Sequence, residues 1–288
     1  MTTTNLVTSD LTRSIPYSSY SMVFDATNDF VNCGNNSSLD ITSNISISAW
    51  IKAGSSGWVA SFPLFATKGS NVSYMLFGRK VSSTSLLPRL RIGVNGDPNM
   101  VEATTSINST DWYHILGTFD GSTMKIYING QLDNSKSLSQ SIPTSSDNFT
   151  IGGTSGGGTS GQISNVAIWN YTLTQDQILA IYNGGVPNDI SNLSPVSWWS
   201  LSSDSYYGSN WICPDLGSAT NNGTGNNLPT TALIGNGPGS TANGIASSMN
   251  IPENLQGNAP NSTKNAFSIN MTETDRVSGT GNVPPTIS

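Results

Sequence analysis

From Ser21 to Trp169 the chain alternates apolar and polar residues with a period of two, the mark of strands with one buried face. Ile45, Ile47, Ala49 and Ile51 alternate with Ser46, Ser48 and Trp50. Tyr113, Ile115, Gly117 and Phe119 alternate with His114, Leu116 and Thr118, and Met124, Ile126 and Ile128 with Lys125 and Tyr127. Asp120-Gly121 and Asn129-Gly130 follow these last two runs, and such dipeptides close hairpins because both residues tolerate positive φ. Shorter signals lie at Met22-Val-Phe24, Phe30-Val31, Leu64-Phe-Ala66, Tyr74-Met-Leu-Phe77, Leu90 to Val94, Phe149-Thr-Ile151 and Ile163 to Trp169. Many short strands with no helices between them predict an all-β, two-sheet antiparallel jelly-roll sandwich.

One helix is predicted. Thr174-Gln-Asp-Gln177 has capping-box form, Ile178, Leu179, Ile181 and Tyr182 supply an apolar face, and Asn183-Gly184-Gly185 a stop. Beyond Pro187 the texture changes to polar stretches such as Gly217 to Gly225 around small apolar islands. The expected organisation is an N-terminal arm over 1–20, a jelly roll over 21–185 and a long, irregular, polar tail over 186–288. That tail is too poor in apolar residues to build its own core, so it is expected to drape over the first domain or a neighbouring subunit.

Only 10% of the 288 residues are charged, against about 25% in ordinary globular proteins. Solvation by hydroxyls and amides suits an extracellular or virion protein. Seven Trp, nine Tyr and eight Phe are enough to build a core and argue against disorder throughout. The net charge of −6 argues against nucleic acid as a partner. No apolar run is long enough to insert in a membrane. The first residues, Met1-Thr-Thr-Thr-Asn5, lack the basic and apolar regions of a signal peptide, so the expected route outward is another one, such as release inside a virus particle. Cys33 and Cys213, the only cysteines, make no disulfide framework, and whether they pair stays open.

The pattern resembles the laminin G-like domains of the concanavalin A-like lectin/glucanase superfamily. Ser21 to Val31 resembles the opening strand pair, and Ile45 to Ile51 the next core strand with its Trp. Asp111-Trp-Tyr-His114 and Ile126-Tyr-Ile-Asn-Gly130 resemble the central meander, and Phe149 to Gly153, Gly161 to Trp169 and Leu173 to Tyr182 the closing strands and helix. The resemblance implies a curved jelly roll whose concave face and rim loops bind glycans or protein partners. Within the tail, Trp198-Trp-Ser-Leu201 and Asp215 to Thr224 are similar to a sequence that introduces such repeats. Ser268 to Val277 echoes Ser21 to Val31, and Pro260-Asn-Ser-Thr echoes Pro16-Tyr-Ser-Ser. The tail therefore reads as a truncated second repeat whose strands would seek a sheet edge. Its ending is similar to proteins of marine phage and algal-virus particles.

Candidate chemistry is sparse. Glycoside hydrolases of this superfamily carry paired glutamates on one strand, whereas the three glutamates here, Glu102, Glu253 and Glu273, are scattered. His114 is the sole histidine, too little for a triad or a histidine metal cluster. The expectation is therefore no catalysis. The ligand-binding candidates are Trp58, an aromatic in a polar loop, and the basic group Arg79, Arg89 and Arg91. No cofactor is expected to be required. Calcium at a rim stays open, with Asp25 and Asp29 as its candidate ligands, because Gly161-Gln-Ile-Ser164-Asn165 replaces the carboxylate of the family motif with neutral groups. The leading expectation is a non-enzymatic virion surface, decoration or fibre protein recognising glycan or protein, with other subunits or its own copies as partners. The alternative is a secreted bacterial carbohydrate-binding or adhesion protein, and third a glycoside hydrolase.

Overall fold

The structure, a computed structural model, describes residues 19–69 and 72–240. Most of the expected N-terminal arm, the echoes at 260–263 and 268–277, and Glu253 and Glu273 lie outside the described residues. The strands are β1 (Ser21–Asp25), β2 (Phe30–Asn32), β3 (Ile45–Ala53), β4 (Leu64–Lys68), β5 (Tyr74–Ser82), β6 (Ser85–Ile92) and β7 (Met100–Glu102). Then come β8 (Ile107–Asn108), β9 (Tyr113–Phe119), β10 (Thr123–Ile128), β11 (Gln131–Ser137), β12 (Phe149–Ile151), β13 (Gly153–Thr154), β14 (Gly157–Gly158) and β15 (Ser160–Trp169). Helix α1 (Gln175–Tyr182) precedes β16 (Ser197–Trp199), β17 (Tyr206–Tyr207), β18 (Trp211–Cys213), β19 (Gly223–Asn226) and β20 (Leu233–Ile234).

All the described strand pairs are antiparallel, and they form two large sheets and a separate two-stranded ribbon of β13 and β14. The first runs β11-β10-β9-β3-β15-β1-β20, with β16 beside the second half of β15. The second runs β17-β18-β19-β2-β12-β4-β5-β6-β7, with β8 on β6. Between them lies one core, built from the alternating residues: Ile45, Ile47, Ala49 and Ile51 of β3, Ile115 and Phe119 of β9, and Met124 and Ile126 of β10. Facing them are Leu76, Leu90, Val101, Phe149 and Ile151. The layers approach closely at Gly117, where a Cβ would sit 2.9 Å from the Leu90 side chain. The two hairpin turns form as expected, with Gly121 at φ 87°, Asn129 at φ 50° and Gly130 at φ 79°.

The capping box of α1 is complete: Thr174 Oγ1 accepts from Gln177 N at 3.3 Å, and Gln177 Oε1 accepts from Thr174 N at 2.9 Å. Asn183 ends the helix in the left-handed region. Ile178 and Ile181 are buried, while Leu179 is largely exposed at the flank.

The segment read as irregular from 186 contains five short strands in its described part. Trp199, Leu201, Trp211, Cys213, Leu228 and Ala232 belong to the same core as the strands before α1. The join is made at β15, whose first half pairs with β1 (Met22 opposite Ile163) and whose second half pairs with β16 (Val166 opposite Trp199). The handover occurs at Asn165, a bulge residue with φ 48°. Its N–H donates to Ser200 O at 2.9 Å, and its Oδ1 accepts from Trp198 Nε1 at 3.2 Å. Strands of two to four residues are too short to show a period in the sequence.

Cys33 and Cys213 are buried and unpaired. They stand opposite one another across Gly223, two strand spacings apart, about 9.6 Å, beyond the reach of a disulfide. Burial pushes the Cys33 thiol up, and the Cys213 thiol up to about 12.

Candidate functional site

The outward face of the first sheet is closed. Leu116, Tyr127, Ala167, Trp169 and Trp198 point away from the main core and pack with Ile178, Ile181 and Ile190 into a second apolar cluster. Beside it, Tyr182 stacks on Trp50 and His114, with ring centroids 5.9 Å and 6.3 Å away, while Trp50 and His114 are tilted against each other at 5.1 Å. Neither ring nitrogen of His114 has a hydrogen-bond partner among the described residues, and burial pulls its pKa down to about 3. A neutral imidazole held this way is a packing group, out of reach of any substrate. A slot of about 10 Å³ lined by Ser48, Trp50, Asn165, Ile181 and Pro187 has room for about one water molecule.

The second sheet presents the basic residues. Asn32, Thr150, Thr67, Met75, Arg91 and Met100 stand directly opposite one another across β2, β12, β4, β5, β6 and β7, a row on the side away from the core. One step along, Leu64, Phe77, Arg89 and Glu102 form a second row. The sequence candidates Arg79, Arg89 and Arg91 are thus brought onto one face, because two-residue spacing on adjacent hairpin strands places them there.

Glu102 organises this face. Arg79 donates to it through Nε at 2.8 Å and Nη2 at 2.7 Å, and Arg89 Nε donates to the same Oε2. The Arg79 hydrogen bonds, opposed by burial, hold Glu102 below the usual carboxylate range. The Arg89 guanidinium lies 5.8 Å from the centroids of both Phe62 and Phe77, and that of Arg91 5.7 Å from Phe77. Phe62 is 53% exposed. Phe62 and Arg79 are the open part of this patch, and Arg89 and Glu102 are partly buried. Arg91 and Phe77 are each only 5% exposed, so Arg91 is a correction: it packs beneath the patch and offers no guanidinium to a ligand. Such a surface can stack on a sugar ring and donate hydrogen bonds to its oxygens. Glu102, Phe62 and Phe77 were not singled out in the sequence, although the spacing Phe77-Gly-Arg79 already put Phe77 on the arginine face.

Trp58 is a correction. It is 1% exposed and belongs to the main core, its ring 6.5 Å from that of Phe65. The surrounding Gly, Ser and Val residues suggested a surface loop. Instead Trp58 N donates to Ser83 O at 2.8 Å, so the loop is tied down and its indole fills the core. It cannot offer its face to a ligand.

Asp25 and Asp29 do come together at the turn after β1. Asp25 N donates to Asp29 Oδ2 at 3.2 Å, and Thr27 N donates to Asp25 Oδ1 at 2.7 Å. Burial, aided by the Asp25 charge, raises the Asp29 pKa to about 6. Two carboxylates supply part of the six to eight oxygens that calcium takes, and among the described residues no third acidic, His or Cys side chain joins them. Ser164 and Asn165, at the motif's acidic position, have a different task. Ser164 Oγ donates within reach of Tyr20 O and Ser200 O, at 3.2 Å each, and Asn165 makes the bulge that receives β16. The pair fits a turn clasp and only part of a calcium shell.

A family profile described as the concanavalin A-like lectin/glucanases superfamily matches residues 25–179. The chain is a laminin G-like member of that superfamily. Among solved structures, this laminin G-like chain is similar to a candidate carbohydrate-binding protein of Bacteroides ovatus, with 16% identity and a TM-score of 0.58. The match covers 76% of this chain and 60% of that one, so the chain spans less than two thirds of that protein's length. It is also similar to a heptameric SAP-like pentraxin of Limulus polyphemus (16% identity, TM-score 0.44, covering 59% of this chain and 84% of that one). A third is the CBM40 of a Ruminococcus gnavus IT-sialidase (14% identity, TM-score 0.41, covering 56% and 96%). At 16% identity the likeness to the Bacteroides ovatus protein is one of fold alone. A search of curated protein sequences gives no match.

Proposed function

We propose that this laminin G-like protein is a non-catalytic carbohydrate-recognition protein whose binding face is the outer side of the second sheet. The observation that carries the reading is the exposed ring of Phe62 with Arg79 and Arg89 around Glu102, on the sheet opposite the one α1 closes. Arginines held by a shared carboxylate and by aromatic faces are pre-organised, so little side-chain freedom is lost on binding. Glu102, bonded to two guanidiniums and held ionised, is a poor general acid. No cofactor is needed for this contact, and calcium at Asp25 and Asp29 would act on the rim turn.

A glycan array probed with the full chain tests the reading. Binding is expected to fall at least about tenfold in Phe62→Ala, the loss of about 1.4 kcal/mol from one stacking contact. Absence of binding to any glycan, or binding indifferent to Phe62→Ala and Arg79→Ala together, would sink it. We propose further that the protein works outside the cell on the surface of a virus particle, alongside other subunits or copies of itself. Support comes from the low charge content and from the resemblance of the tail. Immunogold labelling of purified particles tests the setting, and label confined to soluble material would refute it.

A further inference from the structure

The end of the sandwich holds a lysine in a place where lysines are rarely found. Lys68 closes β4 opposite Tyr74 on one side and Phe149 on the other, so it stands in a core-facing row between two aromatic residues. Their ring centroids are 6.3 Å apart. The side chain is completely buried. Its ammonium reaches a cage of three groups: Asn35 Oδ1, in direct contact, Asp147 O at 2.7 Å, and Asp40 Oδ1 at 3.4 Å. Asp40 Oδ1 is itself shielded from solvent and accepts no hydrogen bond among the described residues. Asn35 Nδ2 donates to Ser146 O at 3.0 Å, which fixes the amide against the lysine.

A buried amine pressed on a carboxamide, with a carboxylate beside both, is the reactant arrangement for amide exchange. We propose that Lys68 and Asn35 form an intramolecular isopeptide bond, assisted by Asp40. Asp40 takes a proton from the Lys68 ammonium, which frees the nitrogen lone pair to attack Cγ of Asn35. The resulting carboxylic acid donates a hydrogen bond to Oδ1, where negative charge develops. A second proton passes from Nζ to Nδ2, the Cγ–Nδ2 bond breaks and ammonia leaves, taking up the proton that Asp40 held. One C–N bond forms, one breaks, and no oxidant or reductant is required. Proximity supplies the rate, since both reactants are held by the fold. The Asn35 side is exposed, which gives ammonia a path out. The product ties the segment after β2 to the end of β4, and these two strands flank β12 in the second sheet. Such a covalent tie resists the parting of β12 from the two strands that flank it in the middle of the sheet.

A simple alternative exists: an ammonium satisfied by two acceptors and a neighbouring carboxylate, with no reaction. Mass spectrometry separates the two. The folded full-length chain is expected to weigh one ammonia less than its sequence. Trypsin is expected to release peptide 14–52 joined to 53–79, uncut after Lys68. In Asn35→Ala, a change at an exposed side chain, the full mass and separate peptides return, and the melting temperature falls. Asp40→Asn slows or abolishes the link. A wild-type chain that keeps its full mass and separate peptides after prolonged incubation in the folded state overturns the proposal. So does a mass deficit that persists in Asn35→Ala, which would place the lost ammonia elsewhere.

Discussion

At the scale of single residues, buried ionisable groups leave the clearest signatures. His114 sits among aromatic rings with its pKa drawn down by burial to about 3 from an ordinary 6.5. Its neutral form is favoured in the folded state. The stability tied to this group is therefore present above pH 6.5 and lost as pH falls toward 3, at up to about 1.4 kcal/mol per pH unit. Urea unfolding between pH 6 and 4 is expected to show this slope in the wild type and a shallower one in His114→Phe. Equal slopes would mean that the imidazole is not excluded from water. Asp29 runs the opposite way, since its pKa is raised to about 6. Its contribution is complete below the unfolded value near 4 and fades as pH rises through 6. Asp29→Asn is thus expected to raise the melting temperature at pH 7 and leave it unchanged at pH 4. If calcium joins the pair, millimolar calcium raises the wild-type melting point at pH 7 and leaves Asp29→Asn unmoved.

At the scale of elements, the bulge at Asn165 and the carboxylate of Asp215 decide whether the segment after α1 can dock. Asp215 accepts from Trp198 N at 2.7 Å, Gly217 N at 2.8 Å and Asn221 N at 2.7 Å. It therefore satisfies three backbone donors around β16, in a place that is 8% exposed. Leaving a buried donor unpaired costs about 1–3 kcal/mol, so Asp215→Ala is expected to lose about 3 kcal/mol or more in denaturant unfolding. Asp215→Asn, which keeps one acceptor oxygen, is expected to lose less. A loss under about 1 kcal/mol would show that water replaces the carboxylate, contrary to the burial seen here.

At the scale of the whole molecule, the chain after α1 completes the sandwich. Trp199 stacks on Phe149 at 5.1 Å and donates from Nε1 to Asn221 O at 2.7 Å, while β20 borders β1 and β19 borders β2. A chain ended at residue 185 would bare the Phe149 ring and the free edges of both β1 and β2. It is expected to aggregate, or to unfold at a markedly lower temperature, whereas a chain ended at 240 is expected to stay monodisperse by size-exclusion chromatography. Wild-type melting of the shorter chain would refute this account. In either chain the arginine patch lies on β5, β6 and β7, remote in sequence from the cut.

The sequence alone determined the strands that have a buried and an exposed side, because alternation over five or more residues is imposed by the geometry of the pleat. It also determined the two hairpins, whose turns demand positive φ, and α1, whose cap and stop are local hydrogen-bond chemistry. The arginine face was half legible: the spacing put Arg89 and Arg91 on one side of a strand, but nothing local tied Glu102 to Arg79 and Arg89. Tertiary structure alone decided the rest. Trp58 turns inward because its loop is tied to Ser83. Short strands from 197 onward exist because existing edges recruit them, not because their residues prefer to extend. Lys68, Asn35 and Asp40 meet only because β4 ends beside the turn after β2. Contacts between residues distant in the chain depend on how sheets stack and twist, and no local pattern records that.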